Sequence, residues 1–352
     1  VADSILPPVV VSLVADIKEF SAKMDEAKLK MDEVEAKSAE GGAGGLLGSL
    51  SGAGMLGVAG AAAAAAAGVA VIGATAVDSA SKFQSAMTQV QNSAGLSENA
   101  TKKLGNAFID TMGKSEFSAT QIAQAYSQVA GQLELLNGAQ LTTNQAMGFT
   151  NAAIDLATAK HIDLGAAMAS TTQTMKAFQI PVAQAAQVTN DLFVTSGMTG
   201  SSVDQLANQF TKMHAKLGDA VPSLQDMDNL TVDMTAHGVG QGRALQTVTG
   251  AMTKLLDPSA KNVQLLQSMG INAFNAQGKF VGMQQILQQL QPAFAGLTQQ
   301  QQINTAQTLF GAGAASSMLT LIQAGPAAYQ AAANSIQNHT NVSQAAADAS
   351  KN

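Results

Sequence analysis

Cysteine is absent from this chain, which excludes disulfides, thiol catalysis and Cys-type zinc sites. Tryptophan is absent too, and aromatic residues reach only 4%. The core must therefore be assembled from Ala, Leu, Val, Ile and 16 methionines, and methionine is an adaptable filler that specifies shape weakly. Charge is scarce at 12%, about half the usual share. Gln, Asn, Ser and Thr take over the polar surface. The net charge of −6, with no Lys/Arg cluster after Lys37, argues against a general nucleic-acid binder. Residues 1–10 lack a basic stretch and contain Pro7-Pro8, so no signal peptide is expected there.

One long stretch has no charge at all. From Gly41 to Val77 there is no Asp, Glu, Lys or Arg. It opens Gly-rich (Gly41-Gly42-Ala43-Gly44-Gly45) and closes as an apolar helix former, with seven alanines at 61–67 followed by Gly68, Val69, Ala70, Val71 and Ile72. About 20 apolar residues can cross a bilayer as a helix. Alanine contributes little insertion energy, so tight packing in a helical bundle competes with that reading. Gly54, Gly57 and Gly60 would permit close helix contact in either setting. The possible membrane segment is thus carried by Gly54, Gly57, Gly60, Val69, Val71 and Ile72.

Around this stretch the pattern predicts a mainly α protein: an array of short helices with a short N-terminal strand and one small β-hairpin near 271–281. Val9-Val10-Val11-Ser12-Leu13-Val14 is β-branched and reads as the strand. Asp16 and Glu19 then form a capping-box pattern. The helix that follows carries Ile17, Phe20, Met24, Ala27, Met31 and Val34 at 3-4 spacing, flanked by Lys and Glu. That seam suits either an amphipathic helix on its own domain or self-association in a parallel bundle. Downstream, Ser97, Ser118 with Gln121, Asp163, Asp257-Pro258 and Thr298 with Gln301 mark helix starts. Helices are expected near 143–160, 163–178, 182–196, 202–217, 224–236, 241–255, 283–295, 299–310, 312–324 and 326–338. Between them, Ala273-Phe274 and Lys279-Phe280-Val281 flank Asn275-Ala276-Gln277-Gly278 as a hairpin would. The domain reading is 1–40 (strand and amphipathic helix), 41–60 (Gly-rich linker), 61–77 (Ala-rich apolar segment), 78–340 (helical core) and 341–352 (start of a further helical or disordered region).

Catalytic chemistry has no anchor in this pattern. His161, His214, His237 and His339 fall on different elements with no i,i+4 pair, so no metal site is expected. Gly238-Val239-Gly240-Gln241-Gly242 lacks a preceding strand and a Lys-Ser/Thr ending, and reads as an interhelix turn. The acidic residues are scattered along helix surfaces. Asp226 and Asp228 lie near a helix start, where the dipole favours them. No matched acid/base pair and no cofactor site are expected.

The order of motifs over residues 78–325 resembles the core region of phage tail tape-measure proteins. The resemblance runs through Phe83, Ala86, Met87 and Val90, then Gly113-Lys114-Ser115-Glu116-Phe117-Ser118-Ala119. It continues through Asp163-Leu164, Ala177-Phe178-Gln179-Ile180, Ser201-Ser202-Val203-Asp204-Gln205-Leu206 and the turn from His237 to Leu245. Pro258, Met269-Gly270-Ile271, Gln277-Gly278-Lys279 and Leu309-Phe310-Gly311 complete it. No single motif decides; their order and spacing across about two thirds of the chain carry the match.

The resemblance implies a structural virion protein, not an enzyme, in the lumen of the tail tube. It would template tube assembly, set tail length and leave at DNA ejection. Implied partners are further copies of itself (three or six), the tail tube protein, distal tail or tip proteins and tail assembly chaperones, with genomic DNA only as a neighbour. An alternative is a membrane-inserting protein that helps the genome cross the host membrane. Family members are usually far longer. At about 1.5 Å per residue even a fully helical chain of this length would reach only about 530 Å. Either the chain is the N-terminal part of a longer protein, which the unfinished helical look of residues 338–352 favours, or the ruler function lies outside it.

Overall fold

Side-chain caps start most of the helices, as the sequence pattern requires. The structure is a computed structural model and describes residues 72–240, 243–256 and 260–351. Among them are fourteen α-helices: α1 (Ile72–Ala94), α2 (Glu98–Met112), α3 (Ala119–Asn137), α4 (Thr143–Lys160), α5 (Leu164–Ala177), α6 (Ala185–Thr199) and α7 (Val203–Leu217), then α8 (Leu224–Ala236), α9 (Arg243–Leu255), α10 (Ala260–Ser268), α11 (Met283–Ala295), α12 (Gln299–Phe310), α13 (Ala315–Gln337) and α14 (Val342–Ala349). Residues Ala86–Asn352 form one compact unit; of the preceding unit, Val1–Ser85, only residues 72–85 are described, in the first turns of α1.

Ser118 shows why the helix starts were legible. Its hydroxyl accepts from the Gln121 N–H at 3.3 Å, and the Gln121 side chain accepts from the Ser118 N–H at 2.9 Å. Thr142 with Gln145, Ser202 with Gln205 and Thr298 with Gln301 repeat this reciprocal box. Each satisfies helix N–H groups that have no partner inside the helix. Ser118→Ala removes one such box and is expected to lower unfolding free energy by about 1 kcal/mol, read as a urea midpoint shift with unchanged slope.

The core follows from the scarcity of aromatic residues. Alanine, leucine and methionine dominate it, with Met168, Met175, Met213, Met227 and Met252 fully buried. The few aromatics pair edge-to-face, Phe108 with Tyr126 at 5.6 Å and Phe178 with Phe210 at 5.0 Å between centroids. Buried threonines are common, and several turn their hydroxyls back onto their own helix. Thr150 bonds Ala146 O, Thr171 bonds Ala167 O and Thr231 bonds Met227 O. Helices approach closely where side chains are small: a Cβ at Gly131 on α3 would lie 2.9 Å from the Ser93 carbonyl oxygen of α1.

The order of packing is mostly local. Helix α2 packs on α3 and α4, α3 on α5, α5 on α7, and α7 on α9. Helix α8 bridges α6, α9 and α13, and α13 also receives α11 and α12. The last helix, α14, returns to the early part of the unit and packs on α4 and α6. Its Val342 N–H donates to Asn190 Oδ1 at 3.1 Å, and the Ser343 hydroxyl donates to Asp155 at 2.6 Å. Helix α13 corresponds to the two helices expected at 312–324 and 326–338. It breaks at Gly325, whose φ of 77° is left-handed, just before Pro326. A Cβ there would also collide with the Gln291 amide.

Two expectations need correction. No β-strand forms among the described residues, and the hairpin predicted at 271–281 reduces to one antiparallel bridge between Phe274 and Phe280. The reason is competition for backbone groups. The Asn275 N–H donates to Lys279 O and the Val281 N–H to Ala273 O, but Asn275 Oδ1 takes the Lys279 N–H that would return to the Asn275 carbonyl. The transmembrane expectation gains no helix: none among the described residues is long and apolar enough to cross a membrane. The predicted strand at 9–14 and the seam at Ile17, Phe20, Met24, Ala27, Met31 and Val34 lie outside the described residues.

Candidate functional site

Of the residues singled out as a membrane segment, only Ile72 is described, as the first residue of α1; Gly54, Gly57, Gly60, Val69 and Val71 lie outside. The histidines stay apart. His161 ends α4 in a left-handed conformation with φ 52°, His214 lies on α7, His237 ends α8 and His339 follows α13. Among the described residues no three His, Cys, Asp or Glu side chains are placed to hold a metal. Residues 238–240 leave α8 as a turn: the Gly238 and Val239 N–H groups return to Thr235 O and Met234 O.

The unusual chemistry sits on α8. Its sequence, LQDMDNLTVDMTA, puts apolar residues on every face, so the helix is buried nearly all round. Its polar residues go inside with it. Asp228, Asn229, Thr231 and Asp233 are all 3% exposed or less. This corrects the expectation that the acidic residues lie along helix surfaces. The signal was present in the sequence as the lack of any wholly polar face.

Asp226 acts as a tie between three helices. It sits in the first turn of α8, where its N–H donates to the Ser223 hydroxyl at 3.0 Å and its Oδ2 accepts from that hydroxyl at 2.9 Å. Its Oδ1 accepts from the Met283 N–H at the start of α11, at 3.1 Å, and from the Tyr329 hydroxyl of α13. Burial, and then the Asp226 charge, push the Tyr329 phenol well above its ordinary range, so it stays a donor. A cavity of about 520 Å³ opens beside this tie, lined by Gln225, Gln284, Gln285, Gln288 and Gln330.

Asp228 is different, because it has no partner. It is 2% exposed, and neither carboxyl oxygen makes a hydrogen bond. Burial raises its pKa strongly, the Asp191 carboxylate of α6 raises it further, and the Thr195 hydroxyl offsets this only in part. Burial likewise lifts Asp191 to about 6. Asp233 lies further along α8 and is engaged elsewhere: its Oδ1 is 3.0 Å from His237 Nδ1. Burial raises its pKa and the neighbouring imidazole lowers it. Helix α8 is thus a polar-cored strut. Asp226 joins it to α11 and α13, and Asp228 faces α6 unpaired. The arrangement ties helices together and supplies no nucleophile–base pair.

Comparison with known proteins places this architecture. Residues 109–311, more than half of the chain, match the family model described as phage-related minor tail protein. The chain belongs to that family. The match runs from α2 through α12 and so includes the whole of α8. The chain is also similar to a protein named "Tape measure protein" from Pneumococcus phage Dp-1, with 25% identity over 265 residues. That alignment covers 75% of this chain and 22% of the relative, so the chain spans about a fifth of the relative's length. The helices from α2 through α12 are accordingly those of a phage-related minor tail protein. No solved structure matches the chain.

Proposed function

We propose that this chain is the folded core region of a tape measure that templates tail-tube assembly, sets tail length and is released at DNA ejection. The observation that carries the reading is the alignment of three quarters of the chain with a fifth of a protein named for that role. A ruler needs length, and the helices of this region are folded back on one another. The measuring function therefore belongs to helical sequence beyond this region, while the region itself acts as a structural body. In this reading the Ile17–Val34 seam joins three or six copies, and the partners are the tail tube protein, the distal tip proteins and the tail assembly chaperones. The weakly charged, Gln- and Asn-rich surface suits a protein that must slide out of a tube. Residence in the tail lumen follows from the same reading. The alternative, insertion into the host membrane, gains no support from the described helices. Tail length measured after in-frame deletions downstream of this region tests the proposal.

A further inference from the structure

A cleft walled by side-chain amides runs along α11. Its first part is the cavity of about 520 Å³ beside the Asp226 tie, lined by Gln284 and Gln288 of α11, Gln330 and Gln337 of α13 and Gln225 of α8. Its second part, of about 480 Å³, shares Val281 and Gln285 with the first and is lined by Phe274 and Phe280. Among the described residues Phe274 is the one exposed aromatic ring, at 38%. Asn229 is the most buried polar side chain in the wall, at 3%, and its Oδ1 has no hydrogen-bond partner. The side chains of Gln225, Gln284, Gln288 and Gln337 bond no described residue either. Gln289 holds the two parts of the cleft in a fixed relation. Its side chain accepts from the Asn272 N–H at 2.7 Å and donates to Asn272 O at 3.4 Å, which pins the Phe274 loop to α11.

The chemistry of the walls selects the occupant. Among the described residues no Lys, Arg or His lines either part, so a phosphate or carboxylate finds no counter-charge. The carboxylate present, Asp226, has both oxygens engaged by Ser223, Met283 and Tyr329, so a cation finds no free charge either. A peptide strand needs an unpaired sheet edge and an amphipathic helix needs an apolar groove. These walls are helices that present amides. A side-chain amide offers one carbonyl acceptor and two N–H donors. Hydroxyl groups, which donate and accept at once, complement it, and several amides on one concave wall match several hydroxyls on one ligand. A pyranose ring carries hydroxyls on its rim and C–H groups on its faces. The exposed Phe274 ring offers those C–H groups an electron-rich π face. The Asn229 carbonyl lacks a donor that the protein does not supply, and native structures pair nearly all such buried atoms. We infer that this cleft binds a neutral oligosaccharide, whose hydroxyls are read by the amides of α8, α11 and α13 and one ring of which packs on Phe274.

The test is saturation-transfer difference NMR on the full 352-residue chain, with maltotriose, cellotriose and chitotriose as neutral probes. Trigalacturonic acid serves as the anionic control and a Gln/Asn-rich decapeptide as the amide control. The expected result is transfer to at least one neutral probe, with a Kd on the order of 1 mM, and weaker transfer to both controls. Phe274→Ala, and separately the double substitution Gln284→Ala with Gln288→Ala, each weaken that binding about tenfold at unchanged Tm, because all three side chains are exposed. Asp348→Asn, at an exposed carboxylate of α14, leaves binding intact. The measurement on the unsubstituted chain stands even if a variant fails to fold. No transfer to any of the three neutral probes overturns the site. Binding that survives both sets of substitutions, or that is tighter for either control than for every neutral probe, also overturns it.

Discussion

Asp226→Ala is expected to destabilise the domain by roughly 3–5 kcal/mol, far more than an ordinary surface substitution. The position reads as a solvated helix-start acid, whose loss would cost well under half that. The structure gives it three tasks at once: it closes the start of α8 with Ser223, receives the Met283 N–H and receives the Tyr329 hydroxyl. Truncation leaves Tyr329, which is 4% exposed, with a buried hydroxyl that has lost its acceptor. Each orphaned buried donor costs about 1–3 kcal/mol. Asp226→Asn keeps an acceptor oxygen at the same place and is expected to cost only about 1–2 kcal/mol. Urea midpoints of the two variants check the difference. Equal, small losses would show that the tie does not hold α8 to α11 and α13.

Stability is expected to fall as pH rises above 4. The sign follows from the acid pair. Both Asp191, at about 6, and Asp228, well above the ordinary 3.8, have folded pKa values raised over their unfolded ones. The folded chain therefore binds more protons, and the stability present below the unfolded pKa is lost as pH climbs through the folded values. The Asp191 shift alone corresponds to a loss on the order of 3 kcal/mol by pH 8. Tyr329 on α13 also feels the Asp228 charge. Tyr329 remains protonated throughout this range, because its pKa is pushed upward. Asp233 titrates in the same direction, with His237 opposing the shift. Asp228→Asn removes its own contribution and leaves that of Asp191, so its Tm should fall less steeply between pH 5 and 8 than that of the unsubstituted chain. A variant whose slope matches the unsubstituted chain would show that the pair does not titrate as its burial requires.

Local information and packing information separate cleanly along this chain. Ser97, Ser118, Asp163 and Thr298 stand where the cap chemistry predicts, because a cap needs only the three or four residues that follow it. Gly325-Pro326 divides α13 for an equally local reason. The 271–281 segment has the alternation and the turn of a hairpin, but pairing stops at the two bonds that flank the Phe274–Phe280 bridge, because Asn275 Oδ1 takes the Lys279 N–H. The environment of Asp228 differs from the local pattern for another reason. Its position near a helix start is true and irrelevant, since what decides its environment is the covering of α8 by α6, α9 and α13. Those contacts join residues far apart in the sequence, and no local pattern reports them. The candidate site was legible only as an oddity, a helix with no polar face.

The central claim is the proposed one, that the protein carrying this region sets tail length. Tail length in a phage bearing this region in its tape-measure gene tests it most directly. In-frame removal of 100 helical residues downstream of the region should shorten the tail by about 150 Å, in proportion to the residues lost, as electron micrographs of purified virions would show. Tails of unchanged length after such deletions would contradict the account.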